Sequence, residues 1–191
     1  MNYNDIKPIA DCLVARLREH CVRIEIAGSI RRQRPDCGDI ELVVIPKTFN
    51  VGLFGDEKEV NPNFIKVVDS LLPGRGKADG KYCCRAIKFN GVEVNVDIFM
   101  TTPEQWGTTL AIRTGSADFA HYSLAKRWVK QGWRSKDNVL SNEQGEERTF
   151  SEEQELFDFL GLPWIKPEGR EAFGLKDKEE YYVSKGADVP F

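Results

Sequence analysis

Over residues 5–20 the apolar side chains fall at Ile6, Ile9, Ala10, Leu13, Val14 and Leu17, the spacing of one helical face. Asn4 is the expected N-cap, and Pro8 sits early enough in the helix to be tolerated. Val22, Ile24 and Ile26 then alternate with Arg23 and Glu25, the period of a half-buried strand that runs into Gly28-Ser29. After a polar, arginine-rich loop, residues 40–45 predict a second strand, bounded by Pro46. Residues 47–60 carry no clear period. A helix follows, opened by Asn61-Pro62 and closed by Pro73-Gly74.

Residues 82–89 and 92–99 flank Asn90-Gly91, a dipeptide suited to a two-residue hairpin turn because both positions accept positive φ. That register sets Lys88 opposite Glu93 and Cys84 opposite Asp97. Thr102-Pro103-Glu104 starts another helix, which Thr114-Gly115-Ser116 interrupts before a helix ending near Gly132. Ser151 with Gln154 forms a capping-box pattern for a short helix that ends at Gly161, before Pro163. From Ala172 onward the pattern dissolves. Helices and strands interleave without the strict alternation of a doubly wound parallel sheet. The expected class is α+β: a mixed sheet flanked by helices over residues 1–105, a small, mostly helical subdomain with short strands over 106–171, and an acidic tail over 172–191.

Composition narrows the function classes. The 191 residues carry a formal charge of −3, but the charge is uneven. Residues 137–191 hold 14 acids and 6 bases, leaving 16 acids and 21 bases before them, so the first part is positive and the last strongly negative. Local field governs phosphate binding more than net charge, so nucleic acid remains a possible partner, bound weakly and in a salt-sensitive way. No run approaches the roughly 20 apolar residues of a membrane span, and residues 1–7 lack the apolar core of a secretory signal. The five cysteines (Cys12, Cys21, Cys37, Cys83, Cys84) show no CxxC pair, so thiols rather than disulfides or a zinc site are expected. These features place the chain in a cytoplasmic or other reducing compartment. His20 and His121 are too isolated for a histidine-based metal site.

The chemistry lies in the carboxylates. Alternation puts Ile40, Leu42 and Val44 on one strand face, so Asp39 and Glu41 project together from the other. On the later strand Val92, Val94, Val96 and Ile98 take the buried face, leaving Asp97 opposite. If the two strands are neighbours, three carboxylates converge and repel one another unless cations neutralise them. Oxygen-only ligands suit Mg²⁺, whose shell is completed by water and substrate phosphates. Taken alone, these residues fit equally the solvated face of an edge strand. Upstream, Gly28 allows close backbone approach to an anion, Ser29 adds a hydroxyl, and Arg31, Arg32 and Arg34 add forked donors.

Together, GSIRRQRPDCGDIELVV, VNVDIFM, RTGSADF and FDFLGLPWIKPEGRE resemble, in order, the signatures of the family X DNA polymerases within the polymerase beta-like nucleotidyltransferases. The resemblance spans residues 10–171. It implies a palm in which Asp39, Glu41 and Asp97 hold two Mg²⁺ ions, with Mn²⁺ as a possible substitute, and in which Asp97 draws the proton from a primer 3′ hydroxyl. It further implies that Gly28, Ser29, Arg32 and Gly38 bind the dNTP phosphates, and that Thr114, Gly115 and Ser116 lie along its sugar and base. Lys126 and Arg127 would approach DNA. Glu41 stands where the family usually has aspartate, and Ile112-Arg113 precede the TGS turn where an aromatic residue is usual. At this length the family's N-terminal lyase domain is not expected within these residues.

The implied activity is that of a monomeric, template-directed enzyme filling short gaps in DNA. Two alternatives stay open: a nucleotidyltransferase that needs no template or uses a small acceptor, and a catalytically silent module that binds DNA ends.

Overall fold

The computed structural model describes residues 1–51 and 57–171; the expected acidic tail, 172–191, lies outside them. The first helix, α1 (Tyr3–Arg18), begins two residues earlier than the apolar period predicts, because Asn2 rather than Asn4 is the cap. Its side chain accepts a hydrogen bond from the Asn4 backbone N–H at 2.9 Å. Asp5 in the first turn and Arg16 and Arg18 in the last complement the helix dipole. One face, Ile6, Ala10, Leu13, Val14 and Leu17, is buried.

Strand β1 (Cys21–Ile26) runs antiparallel to β2 (Asp39–Pro46), and the short turn α2 (Gly28–Arg31) lies between them in sequence. The register shifts between Cys21 and Arg23. That irregularity turns Cys21 inward and leaves Val22 67% exposed, so Val22 is not on the buried face as alternation predicted. Within the stretch 47–60, which shows no period, β3 (Thr48–Val51) pairs antiparallel with β4 (Glu57–Val60). Both strands are largely exposed, so neither carries the apolar alternation by which strands are recognised. Asn61 caps α3 (Pro62–Asp69), which buries Phe64 and Val68.

Strands β5 (Tyr82–Phe89) and β6 (Val92–Met100) form the expected hairpin, with Asn90 and Gly91 both at positive φ (48° and 79°). Lys88 is opposite Glu93 and Cys84 opposite Asp97. Val92, at the hairpin end, is 51% exposed rather than buried. The sheet order is β1-β2-β6-β5, with β2 and β6 parallel and the other pairs antiparallel. Mixed pairing of this kind confirms an α+β architecture. The outer edge of β5 is not left bare. Leu72 and Ala86 exchange backbone hydrogen bonds, and the Cys84 N–H donates to the Arg75 carbonyl at 2.8 Å. Arg85, almost buried, donates to the carbonyls of Arg75, Gly76 and Cys84 and to Asp69.

Ile40, Leu42, Val44, Val94, Val96 and Ile98 pack with α1 and α3 into one core. Burying each such side chain fully stabilises the fold by about 1.5–3 kcal/mol. The helices thus occupy one face of the sheet, and the odd-numbered positions of β2 and β6 project from the other.

The chain divides into two compact units, Met1–Ile30 with Arg34–Thr102, and Arg31–Gln33 with the residues from Pro103 onward. In the second unit a 3₁₀ turn (Pro103–Gln105) leads into α4 (Trp106–Thr114), and a π-helical stretch (Phe119–Ala125) leads into α5 (Lys126–Lys130). A three-stranded antiparallel sheet follows: β7 (Trp133–Lys136), β8 (Val139–Asn142) and β9 (Glu147–Arg148). The β7–β8 turn is Asp137-Asn138, both at positive φ. Helix α6 (Glu153–Phe159) ends at Gly161, as expected, where φ is +66°. Its cap differs from the expected Ser151–Gln154 pair. The Glu155 carboxylate accepts from the N–H groups of Ser151 and Glu152, because its longer arm folds back over the first turn while Gln154 donates to Asp158 instead. The core gathers Phe119, Leu124, Trp128, Trp133, Leu140, Phe150, Leu156 and Phe157. Gly107 is required for close packing, since a Cβ there would stand 2.3 Å from the Glu152 backbone.

Candidate active site

In a parallel pair, facing residues project to the same side of the sheet. The register sets Glu41 beside Asp97 and Asp39 beside Asn95. Asp39, Glu41 and Asp97 therefore share one face, on adjacent strands about 4.8 Å apart. All three are half-buried, whereas Ile40, Leu42, Val96 and Ile98 between them are fully buried.

Close neighbours define the placement of Asp97 and Glu41. The Tyr82 hydroxyl donates to Asp97 Oδ1 at 2.7 Å, and that hydrogen bond, with burial, pushes the phenol up to about 12. Cys84, directly across the ladder from Asp97, has its thiol pushed up by burial and by the neighbouring carboxylate. The Glu41 carboxylate lies over Gly28, where a Cβ would stand 1.8 Å from its Oε2. With the side chains so placed, no group of three His, Cys, Asp or Glu side chains among the described residues forms a ready metal cage. The donor chemistry nevertheless fits a hard divalent cation, because the face offers oxygen ligands from neighbouring register positions.

The loop after β1 is held against this face. The Ala27 N–H donates to the Glu41 carbonyl at 2.8 Å. Gly28 adopts φ +60°, a conformation that costs an L-residue about 1–2 kcal/mol. Ser29 follows with its hydroxyl buried and without a hydrogen-bond partner. A buried, unsatisfied hydroxyl is costly, and its position next to a left-handed glycine is what a bound anion would relieve. Gly38 is exposed, and a Cβ there would meet nothing within 4 Å.

The second unit holds the remaining candidates. Thr114, at the end of α4, is fully buried. Its hydroxyl accepts from Arg31 at 2.6 Å and its carbonyl from Arg32 at 2.7 Å. Gly115 packs on Phe119, whose ring would lie 2.4 Å from a Cβ. The Ser116 hydroxyl accepts from the Phe119 N–H at 3.0 Å and so opens the π-helical stretch. Arg32 Nε also donates to Glu171 at 2.8 Å. Lys126 and Arg127, both half-buried, open α5.

Residues 109–171 match the family described as DNA polymerase beta thumb. Over 156 residues the chain is 31% identical to the DNA polymerase/3′-5′ exonuclease PolX of Bacillus subtilis (strain 168), an alignment covering 80% of this chain and 25% of that protein. The chain is a relative of the family X DNA polymerases. It spans about a quarter of the length of the curated relative it matches. No helix among the described residues is long and apolar enough to cross a membrane.

In this family X relative, the pattern along the chain did not single out Tyr82, Glu153 or Arg170. Glu153, 5% exposed, accepts from both Arg31 nitrogens at 2.9 and 2.8 Å and from Arg170 at 2.5 Å. Burial alone would raise its pKa, but the hydrogen bonds from Arg31 and Arg170 outweigh it and hold the carboxyl below its ordinary value. Arg170 is fully buried, with its guanidinium over Phe157 and Trp164 at 5.1 and 5.3 Å. Arg31, grouped by sequence with the phosphate-binding arginines, spends its fork on Glu153 and Thr114.

Proposed function

We propose that this chain carries the nucleotidyltransferase portion of a family X DNA polymerase, transferring dNMP from a dNTP to a DNA 3′ hydroxyl to fill short gaps in repair. The observation that carries this reading is the parallel register pairing Glu41 with Asp97 on the same open face as Asp39. A polymerase palm is the proposed identity of the first unit, and a DNA polymerase beta-like thumb that of the second.

Asp39, Glu41 and Asp97 are the residues that would hold two Mg²⁺ ions, or Mn²⁺ in their place. Such ions supply charge neutralisation at the attacking and leaving oxygens. Asp97 accepts the proton of the 3′ hydroxyl. The Ser29 hydroxyl and the backbone at Gly28 and Gly38 donate to the dNTP phosphates. Arg32 is proposed to exchange its Glu171 carboxylate for a phosphate oxygen, an equally good partner for a guanidinium fork. The Thr114-Gly115-Ser116 turn is proposed to lie along the nucleotide, its shape fixed by Arg31 and Phe119, and Lys126 and Arg127 to contact the DNA backbone.

The test is a gap-filling assay with four dNTPs and Mg²⁺, alongside a template-free control. Template-matched incorporation is expected, and Asp97→Asn should lower turnover by about 10²–10⁴-fold, because a ligand and the proton acceptor are both lost. Incorporation indifferent to template would reassign the chain to untemplated transfer, and near-normal turnover by the variant would remove Asp97 from the mechanism.

A further inference from the structure

Tyr82 sits on β5, opposite Phe99 and one diagonal step from Asp97 on the same face of the sheet. Its ring stacks on Phe99 with centroids 5.1 Å apart and planes 26° from parallel. That stacking fixes the phenol so that its hydroxyl meets Asp97 Oδ1 at 2.7 Å. We propose that Tyr82 is a positioning residue that holds the Asp97 carboxylate in the orientation needed to ligate a divalent cation. The proposal rests on the polymerase reading above.

The chemistry of the contact favours this role over simple strand cohesion. A carboxylate offers about four lone-pair sites, and the phenol takes one of them, leaving capacity for a cation. A neutral hydroxyl also relieves part of the repulsion among three clustered carboxylates without bringing a positive charge that would compete with a metal ion. Lysine or arginine at this place would neutralise Asp97 instead. Outer partners of this kind keep a ligand's torsions fixed before the ion arrives, and losing one typically weakens metal affinity by about 10–100-fold.

The experiment compares Tyr82→Phe with wild type and Asp97→Asn as full chains. Mn²⁺ binding is followed by the loss of the free-ion electron paramagnetic resonance signal, and gap filling by kcat and KM for dNTP. Tyr82→Phe keeps the ring and its stacking. The expected result is Mn²⁺ binding weakened by about 10–100-fold, a lower kcat, a KM for dNTP within about twofold of wild type, and an unchanged melting temperature. Wild-type Mn²⁺ affinity in Tyr82→Phe, with binding lost in Asp97→Asn, overturns the role of Tyr82 and leaves the polymerase reading standing. Mn²⁺ binding that is absent in wild type, or unaffected by Asp97→Asn, overturns both. A weakened affinity accompanied by a melting temperature more than about 4 °C lower assigns the effect to strand packing and likewise overturns the positioning role.

Discussion

Replacing Glu153 by Gln tests the internal electrostatics of the second unit. The substitution keeps the side-chain shape and removes a carboxylate that faces both Arg31, 21% exposed, and Arg170, fully buried. Three charge-assisted hydrogen bonds at 2.9, 2.8 and 2.5 Å lose their anionic acceptor. The amide oxygen still accepts from one guanidinium, but its NH₂ group faces the other, donor against donor. Breaking a buried pair by removing one partner costs about 3–5 kcal/mol, a large share of the roughly 5–15 kcal/mol that holds a domain together. All four tryptophans, Trp106, Trp128, Trp133 and Trp164, lie in the second unit, so urea unfolding followed by tryptophan fluorescence reports on that unit.

With a slope of about 1–3 kcal/mol per molar urea, the midpoint should fall by more than about 1 M at pH 7. The pH dependence supplies a second check. The folded-state pKa of Glu153 lies below its ordinary 4.5, so its contribution is complete above that value. It is lost as pH falls through the folded pKa, because the unfolded chain then binds the proton first. Acidification should therefore narrow the gap between wild type and variant. A difference under about 1 kcal/mol at pH 7, where the buried-pair cost applies in full, would refute the reasoning. So would a gap that stays constant through the acid range.

Gly28→Ala should cost about 1–2 kcal/mol from its φ of +60°, measured by circular dichroism melting. It should reduce gap filling by about 100-fold, because the new methyl displaces the Glu41 carboxylate it would otherwise overlap; parallel small losses in both would argue against a functional Glu41. Arg85→Met should cost about 2–4 kcal/mol, since three backbone carbonyls each lose a guanidinium hydrogen bond, although the Arg75 carbonyl keeps the Cys84 N–H, and Asp69 loses its ion-pair partner. Hydrogen exchange is the sensitive readout there: faster exchange at the Cys84 and Ala86 amides is expected, and unchanged protection would show that the segment covering the β5 edge does not depend on Arg85.

The alternation of residues 39–42 and 93–98 determined which side chains of those segments leave the core, because a pleated strand has a period of two and water excludes one parity. Asn90-Gly91 fixed the hairpin register, since few residue pairs accept two successive positive φ values, and that register already set Cys84 opposite Asp97. Local patterning could not reveal that β2 and β6 are parallel neighbours bringing Glu41 beside Asp97, because strand partnership between distant segments is a long-range property of the core. The β3–β4 pair was hidden because strands exposed on both sides show no apolar period. Arg31 looked like one more phosphate-binding arginine and Glu153 was not singled out at all, since a charge carries no mark of burial along the chain. Only folding, which shields them from water and forces each to find an opposite partner, decided that Arg31, Glu153 and Arg170 form one buried cluster, and that Tyr82 reaches Asp97.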